Sequence, residues 1–229
     1  MSRVLPILFN TDMVRAILDG RKTVTRRKVN TDIANQFDVE HDGRTVIAYI
    51  DQATGDSYNA ERIYRYQIGD ILYIRETWAF MPCIGCNGEY ARPGVGMACY
   101  DTQAVEYDDG NSISDGCFVY RADCKKPEKI CWRPSIHMPK EVARIFLKVK
   151  DVRVERLQAM TLDDFLAEGV VIRPEAFNDP DNAYLQARDV FVKIWDSTVK
   201  KEQIYLYGWD GNPWVWTIEF ERCGKPEEL

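Results

Sequence analysis

Alternating apolar and polar positions recur along the chain and predict more strands than helices. The segments VLPILF, ILYIR and CFVYRA have strand-like character, and the stretch from Val142 to Val149 alternates, with a bend expected at Asp151. A last strand, NPWVWTIEFER, places four large apolar side chains on one face: Trp214, Trp216, Ile218 and Phe220. Most of these strands are not joined by helical crossovers, which favours a mixed or barrel-like sheet over a doubly wound parallel one.

Three helices are predicted from apolar spacing and capping residues. The first is capped by Asn10 or Thr11 and ends near Gly20, a common residue just after a helix. The segment TLDDFLAEG predicts a second, short helix, with Thr161 as N-cap and Asp164 completing an approximate capping box. A longer third helix begins at the DP dipeptide of FNDPDN, because proline suits the first helical position.

Length and composition limit the class of protein. The 229 residues are 45% hydrophobic and 29% charged, which is typical of a globular chain with one large domain or two small ones. No apolar run approaches the roughly 18 residues of a membrane helix, and MSRVLPILFNTD lacks the features of a signal peptide. We therefore expect a cytoplasmic protein without a membrane partner, organised as a single domain over residues 1–229.

Positive charge is concentrated in GRKTVTRRK, directly after the first predicted helix, in a chain whose formal net charge is -6. The acidic balance argues against a protein that coats nucleic acid by bulk electrostatics. A local basic pocket can still hold one nucleotide or a short single strand. The alternative is a basic edge strand exposed to solvent.

Two segments, at about residues 29–62 and 79–116, are predicted as excursions from the core. The second is an inserted Cys-rich loop or subdomain that contains Cys83, Cys86 and Cys99. Clustered cysteines in a cytoplasmic chain favour metal binding or free thiols over disulfides. These three are the best candidates for a structural zinc site, although the second close pair typical of such sites is missing. No other cofactor is expected.

The motifs and their order resemble the ASCH domain, a relative of the PUA domain. The family signature G-x-K-x-x-T-x-R stands here in GRKTVTRR, and its G-D-x-L strand stands in GDILYIR. The phrases WRPSIHMP and NPWVW are similar to those of larger, phage-associated ASCH-like proteins. The resemblance covers about residues 6–220. It implies an α+β fold built on a PUA-like mixed β-barrel with flanking helices, and a cleft that binds RNA or a modified nucleoside.

One bacterial branch of this family is an amidohydrolase that removes the acetyl group from acetylcytidine. The resemblance implies that Lys22, Thr25 and Glu168 are the catalytic residues here. Amide hydrolysis needs a nucleophile, a proton shuttle and oxyanion stabilisation. Thr25 would attack, Lys22 would polarise the carbonyl or take a proton, and Glu168 would shuttle protons. Residues three apart in an extended strand point to opposite faces, so Lys22 and Thr25 share a pocket only if the chain turns or bulges.

Five further residues are candidate contacts to nucleic acid or substrate. Arg26, Arg27 and Arg75 offer planar donor forks to phosphates or bases, with paired surface charge as the alternative. Trp78 follows ILYIRET and can stack on a base or fill the core. His137 can shuttle a proton or ligate a metal, or be a structural residue of its loop.

Two functions of different classes follow. The first is a protein that binds RNA or a modified nucleoside and deacylates a modified cytidine such as acetylcytidine. The second is a non-catalytic module of phage origin that recognises single-stranded nucleic acid or a host factor, with a phage or host protein as its partner. A nuclease is a third class, but the acidic residues form no convincing metal set.

Overall fold

The structure is a computed structural model that describes residues 2–29, 37–41, 46–58, 65–82, 116–124 and 130–226. The strands of this part of the chain are β1 Val4–Leu8, β2 Val24–Lys28, β3 Phe37–His41, β4 Val46–Asp51, β5 Ser57–Tyr58, β6 Ile71–Arg75, β7 Trp78–Pro82, β8 Gly116–Tyr120, β9 Phe146–Arg156 and β10 Trp214–Cys223. The α-helices are α1 Thr11–Leu18, α2 Leu162–Ala167, α3 Pro180–Thr198 and α4 Ile204–Tyr207. Short 3-10 helices lie at Ser135–His137, Lys140–Val142, Leu157–Ala159, Pro174–Asn178, Lys201–Gln203 and Trp209–Gly211.

The described strands form three sheets. The largest has the order β1-β6-β9-β10-β2, while β3-β4-β5 and β7-β8 form separate sheets. Helices and strands together agree with the predicted α+β class. The closed barrel implied by the resemblance is not found in the described residues, where β1 and β2 lie at the two edges of the large sheet. The strands β3, β4 and β5 pair with one another, as do β7 and β8.

The predicted helix boundaries follow from local capping. Asn10 Oδ1 accepts a hydrogen bond from the Met13 amide at 2.9 Å at the start of α1. After the end of α1, Gly20 has a φ of 74°, a left-handed conformation that favours glycine. Thr161 and Asp164 form the predicted capping box at the start of α2.

The strand does not end at Asp151, where a bend is predicted, and its buried side changes from Leu147 and Val149 to Val152 and Val154 across this position. β9 starts at Phe146, later than the alternation suggests, and runs without interruption through Asp151 to Arg156. The Asp151 carboxylate lies 2.8 Å from Arg153 Nη1, two residues along the same strand. A charged residue is therefore accommodated within a continuous strand because a cation on the same face pairs with it.

The chain divides into two compact units. Unit 1 comprises residues 1–5, 16–72 and 147–223, and unit 2 comprises residues 6–15, 73–146 and 224–229. That the chain forms a single domain remains a prediction, because the division into two compact units does not test it.

The core of unit 1 packs α2 and α3 beside β10. Phe165 of α2 is fully buried, with ring centroids 5.4 Å from Phe191 and 6.1 Å from Trp209. Its buried apolar cluster comprises Leu157, Met160, Phe165, Val170, Ala187, Phe191, Trp195 and Val215. Because Val215 belongs to this cluster, α2 and α3 cover the face of β10 that carries Val215. The same face positions the site described below.

Unit 2 is held by an aromatic hairpin and a buried ion pair. β7 pairs antiparallel with β8, and Trp78 is fully buried, 5.6 Å from the Phe118 ring. The Glu76 carboxylate, 1% exposed, receives two hydrogen bonds from Arg144 at 2.9 and 3.1 Å. Burial raises the pKa of Glu76 against the opposing effect of Arg144.

Candidate functional site

The basic segment leaves α1 and meets the end of α2 before it joins the sheet. The Lys22 amide donates to the Ala16 carbonyl at 3.0 Å, and the Thr23 amide donates to the Ala167 carbonyl at 2.9 Å. Lys22 and Glu168 also form an isolated antiparallel bridge. Only after these contacts does the chain enter β2, which pairs antiparallel with β10. The predicted helix-exit position of GRKTVTRRK is therefore confirmed.

Lys22 and Glu168 are in direct contact inside unit 1. The Lys22 ammonium pairs with Glu168 Oε2 and also donates to the Glu168 backbone carbonyl at 3.0 Å. The two side chains are 1% and 6% exposed. Two of the three residues implied by the resemblance thus meet, although 146 positions separate them in sequence.

Arg26 joins the same group of charges. Its guanidinium lies 2.9 Å from Asp164 Oδ1, 3.3 Å from Glu168 Oε1 and 3.4 Å from Glu155 Oε2, and its side chain is 1% exposed. We call Lys22, Arg26, Glu155, Asp164 and Glu168 the ionic cluster. It connects β2 and β9 with the first turn of α2, through Asp164, and with the residue that follows α2, Glu168.

Neighbouring polar groups extend the ionic cluster along the sheet. Glu155 accepts a hydrogen bond from Thr217 Oγ1 at 3.2 Å and from Arg153 Nε at 2.7 Å. Among the described residues, the buried Nε of Arg26 has no hydrogen-bond partner. Charged groups removed from water in this way are costly unless they are paired, and the pairing here is nearly complete.

Burial dominates the electrostatics of Lys22. Desolvation lowers the pKa of Lys22, and the nearby cations Arg27 and Arg26 lower it further, whereas Glu168 raises it; the net pKa is lowered. For Asp164, desolvation is outweighed by hydrogen bonds from Thr161 and by Arg26, so the pKa of Asp164 is lowered. The ionic cluster therefore contains a lysine that releases its proton more readily than a lysine in water does.

Thr25 lies on the other side of the strand. In the register of β2 with β10, Thr25 pairs with Ile218 and Arg26 pairs with Thr217. Successive residues of a strand point to opposite faces, so the Thr25 side chain leaves β2 opposite to Arg26. Thr25 is 1% exposed. The structure thus brings Lys22 and Glu168 together but does not place Thr25 on their face.

Gly169 allows the end of α2 to approach Lys22 closely. Its φ is 90°, in the left-handed region. A Cβ at this position would lie 2.9 Å from the Ala16 Cβ and 3.1 Å from the Lys22 Cβ. A side chain at Gly169 would therefore push Glu168 away from Lys22.

The other candidate arginine of β2 has a different environment. Arg27 pairs with Trp216 in the register and is half-buried, and its Nη1 lies 3.5 Å from the Arg26 carbonyl. By strand alternation it shares the face of Thr25. Of the two neighbouring arginines, Arg26 thus points into the ionic cluster and Arg27 away from it.

The candidate residues of unit 2 surround the WRPSIHMP phrase. Arg75 donates from Nε to the Met138 carbonyl at 2.9 Å and from Nη2 to the Ile136 carbonyl. His137 is exposed in the 3-10 turn. Trp78 is fully buried, with the Arg133 guanidinium 5.2 Å from its ring centroid. Its position agrees with the interpretation of Trp78 as a core residue. Arg75 here braces backbone carbonyls.

The zinc prediction falls on residues that the structure does not describe. Cys83, Cys86 and Cys99 lie outside the described residues. Within the described ranges, Cys124, Cys131 and Cys223 are free thiols, and no group of three potential metal-ligating side chains occurs. A structural zinc ion at the Cys-rich insertion remains a prediction.

Two members of the ionic cluster were missed by sequence reasoning as site residues. Asp164 was recognised only as a capping residue, and Glu155 was not singled out. The VRVER pattern does hold a signal for Glu155, since its alternation puts Arg153 and Glu155 on one polar face of a strand with Val152 and Val154 on the other. Their pairing with Arg26 depends on long-range register, which the sequence pattern does not give.

Among the helices in the described ranges, none has the length and apolar character that crossing a membrane requires. Comparison of the chain with known protein families, with curated proteins and with solved structures found no match.

Proposed function

We propose that this protein hydrolyses the amide of an acylated nucleoside, such as acetylcytidine, and that Lys22 and Glu168 transfer the protons. The observation that carries this proposal is the buried contact between the Lys22 ammonium and the Glu168 carboxylate. The identity of the substrate class comes from the resemblance to the ASCH domain.

The electrostatics of the pair support proton transfer. A general base works best when its pKa lies near the operating pH, and burial lowers the pKa of Lys22 in that direction. A carboxylate in contact with the amine can accept or return the proton. A lysine and a glutamate in contact and nearly free of solvent thus provide both partners of an acid–base cycle.

Water is the attacking group in this proposal. The Thr25 side chain leaves β2 on the face opposite to Arg26, whereas Lys22 and Arg26 both contact Glu168. A water oxygen would bond to the carbonyl carbon, the carbon–nitrogen bond would break, and the leaving nitrogen would take up a proton. The products would be acetate and the free nucleoside.

This mechanism requires that the substrate reach the buried Lys22–Glu168 pair. Lys22 and Glu168 are 1% and 6% exposed, so a substrate carbonyl reaches them only if the surrounding packing opens. Gly169 packs closely against Lys22, since a Cβ on Gly169 would lie 3.1 Å from the Lys22 Cβ. Slow turnover limited by this opening is therefore the expected kinetic behaviour.

A turnover assay tests the proposal. The purified protein is incubated with acetylcytidine and related acylated nucleosides, and the products are followed by chromatography. Lys22→Met and Glu168→Gln should abolish turnover, whereas Thr25→Val, which keeps the side-chain shape, should retain it. Lys148→Met, which removes an exposed lysine, serves as the control. Absence of turnover by the wild type on every substrate contradicts the proposal, and loss of turnover in Thr25→Val would restore Thr25 as the nucleophile.

A second candidate function is binding of single-stranded nucleic acid without catalysis. The exposed part of the WRPSIHMP phrase favours it, because Arg133 and His137 are exposed and Ile136 is 55% exposed. Arg75 fixes the backbone of this turn. An arginine and a histidine beside an exposed apolar side chain suit a phosphate backbone with unstacked bases.

Fluorescence anisotropy with labelled single-stranded RNA tests the second candidate. Replacement of Arg133 and His137 together by Ala should weaken binding and reduce its dependence on salt, whereas Lys148→Ala should change neither. Equal binding by both variants would exclude this surface.

A further inference from the structure

The proposed function assigns no role to Arg26. It contacts carboxylates from two elements, Asp164 and Glu168 at α2 and Glu155 on β9. Its side chain is 1% exposed, so it is closed to a phosphate in this structure. The sequence prediction gave Arg26 a nucleic-acid contact, but its surroundings are those of an internal clamp.

The clamp acts on Glu168. One carboxylate oxygen, Oε1, lies 3.3 Å from Arg26 Nη1, and the other, Oε2, faces the Lys22 ammonium. With both oxygens engaged, the carboxylate plane has little freedom to rotate. The remaining Arg26 contacts, to Asp164 at 2.9 Å and Glu155 at 3.4 Å, fix the guanidinium itself.

We propose that Arg26 is a positioning residue, whose guanidinium holds the Glu168 carboxylate in the orientation at which it exchanges a proton with Lys22. This inference rests on the proposed function of the Lys22–Glu168 pair. A lysine cannot replace Arg26 in this role, because its compact ammonium lacks the planar fork that reaches several carboxylates at fixed angles.

A purely structural role for Arg26 makes different predictions. Cross-linking β2, β9 and α2 would affect stability alone. The positioning role also affects the titration of Lys22. The groups around Lys22 are Glu168 after α2, Arg26 and Arg27 on β2, and the Ala16 carbonyl of α1. Desolvation is the main cause of the lowered pKa of Lys22, and Arg26 contributes in the same direction.

The test compares three arginine variants with the wild type. Arg26→Met removes the charge and the fork, Arg26→Lys keeps the charge and removes the fork, and Arg153→Met is the matched control. Arg153 also binds Glu155, at 2.7 Å, and its other carboxylate partners among the described residues are Asp151 and Glu219. Each variant is assayed for kcat and KM on acetylcytidine. The NMR resonance of the Lys22 side chain is followed as a function of pH in protein with isotope-labelled lysine.

The two Arg26 variants should agree in their loss of kcat and differ in the titration of Lys22. Both should lose roughly tenfold or more in kcat with little change in KM, the size of effect that a small misplacement of a reacting group produces. The Lys22 resonance should shift in both, and its titration should move to higher pH in Arg26→Met because a neighbouring cation is gone. Arg153→Met should match the wild type in kcat and in the Lys22 titration.

The contrary results are equally distinct. An unchanged Lys22 resonance in a folded Arg26 variant overturns the positioning role, and if Arg26→Met does not fold, Arg26→Lys decides alone. If the wild type turns over no acylated nucleoside, the proposed hydrolase fails, while the Lys22 resonance in the variants still decides whether Arg26 positions the pair. Equal effects of Arg26→Lys and Arg153→Met would assign both arginines to stability.

Discussion

The close approach of α2 to Lys22 depends on Gly169, and Gly169→Ala should destabilise unit 1 for two separable reasons. The first is the backbone, since a φ of 90° is unfavourable for any residue with a Cβ. This term is about 1–2 kcal/mol. The second is contact, since the new Cβ would lie 2.9 Å from the Ala16 Cβ and 3.1 Å from the Lys22 Cβ. Overpacking of this kind costs roughly 1–3 kcal/mol.

Gly20→Ala provides the matched control for the backbone term. Gly20 has a φ of 74°, but a Cβ there would meet no atom within 4 Å. Its cost should therefore be about 1–2 kcal/mol, the backbone contribution alone. Gly169→Ala should cost about 2–5 kcal/mol, the sum of both terms. Because both glycines lie in unit 1, the same unfolding transition reports both variants.

Urea denaturation followed by tryptophan fluorescence measures the two free energies of unfolding. A third variant, Ala16→Gly with Gly169→Ala, removes the nearest clashing atom and should recover part of the loss beyond the cost of Ala16→Gly by itself. Equal destabilisation by Gly20→Ala and Gly169→Ala would refute the contact argument. Additive effects in the double variant would show that Ala16 does not limit the approach.

Three further outcomes follow from buried or capping groups. Thr161→Ala removes the acceptor of the Asp164 amide and should lower the free energy of unfolding by about 1 kcal/mol, with Thr161→Ser restoring it in thermal denaturation. Lys22→Met leaves Glu168 with Arg26 as its cation and should cost up to about 3–5 kcal/mol in urea denaturation, whereas a loss within error would mean that the pair contributes little. Because burial raises the pKa of Glu76 above its usual 4.5, the native state holds that proton more tightly; the stabilisation is complete below pH 4.5 and is lost as pH rises through the folded-state pKa. The Glu76→Gln variant should lack this decline when unfolding is measured across pH, and parallel pH profiles would contradict it.

The sequence predicted the features that depend on near neighbours. The capping box at Thr161 and Asp164 and the helix end at Gly20 are set by residues within one turn, so their patterns are readable locally. Glu168 directly precedes Gly169, so its position at the negative end of the helix dipole also depends on near neighbours.

The features that depend on distant partners were not predicted. Arg26 reads as exposed until the three carboxylates around it, from β9 and α2, are seen. The PUA-like barrel stays a prediction, because strand patterns do not specify which strands pair. For Thr25, the sequence predicts that a turn or bulge is needed to share a pocket with Lys22, and the register of β2 with β10 places Thr25 on the face opposite to Arg26.

The pairing of β2 with β10 also has a consequence for synthesis of the chain. Arg26 is made before Glu155, Asp164 and Glu168, and β10 is made after all of them. During translation the basic segment thus has neither its sheet partner nor its counter-charges, and contacts of such long sequence separation form slowly. Unit 1 can become compact only when nearly all of its chain has left the ribosome, and until then GRKTVTRRK is an accessible cationic segment on a nascent polypeptide.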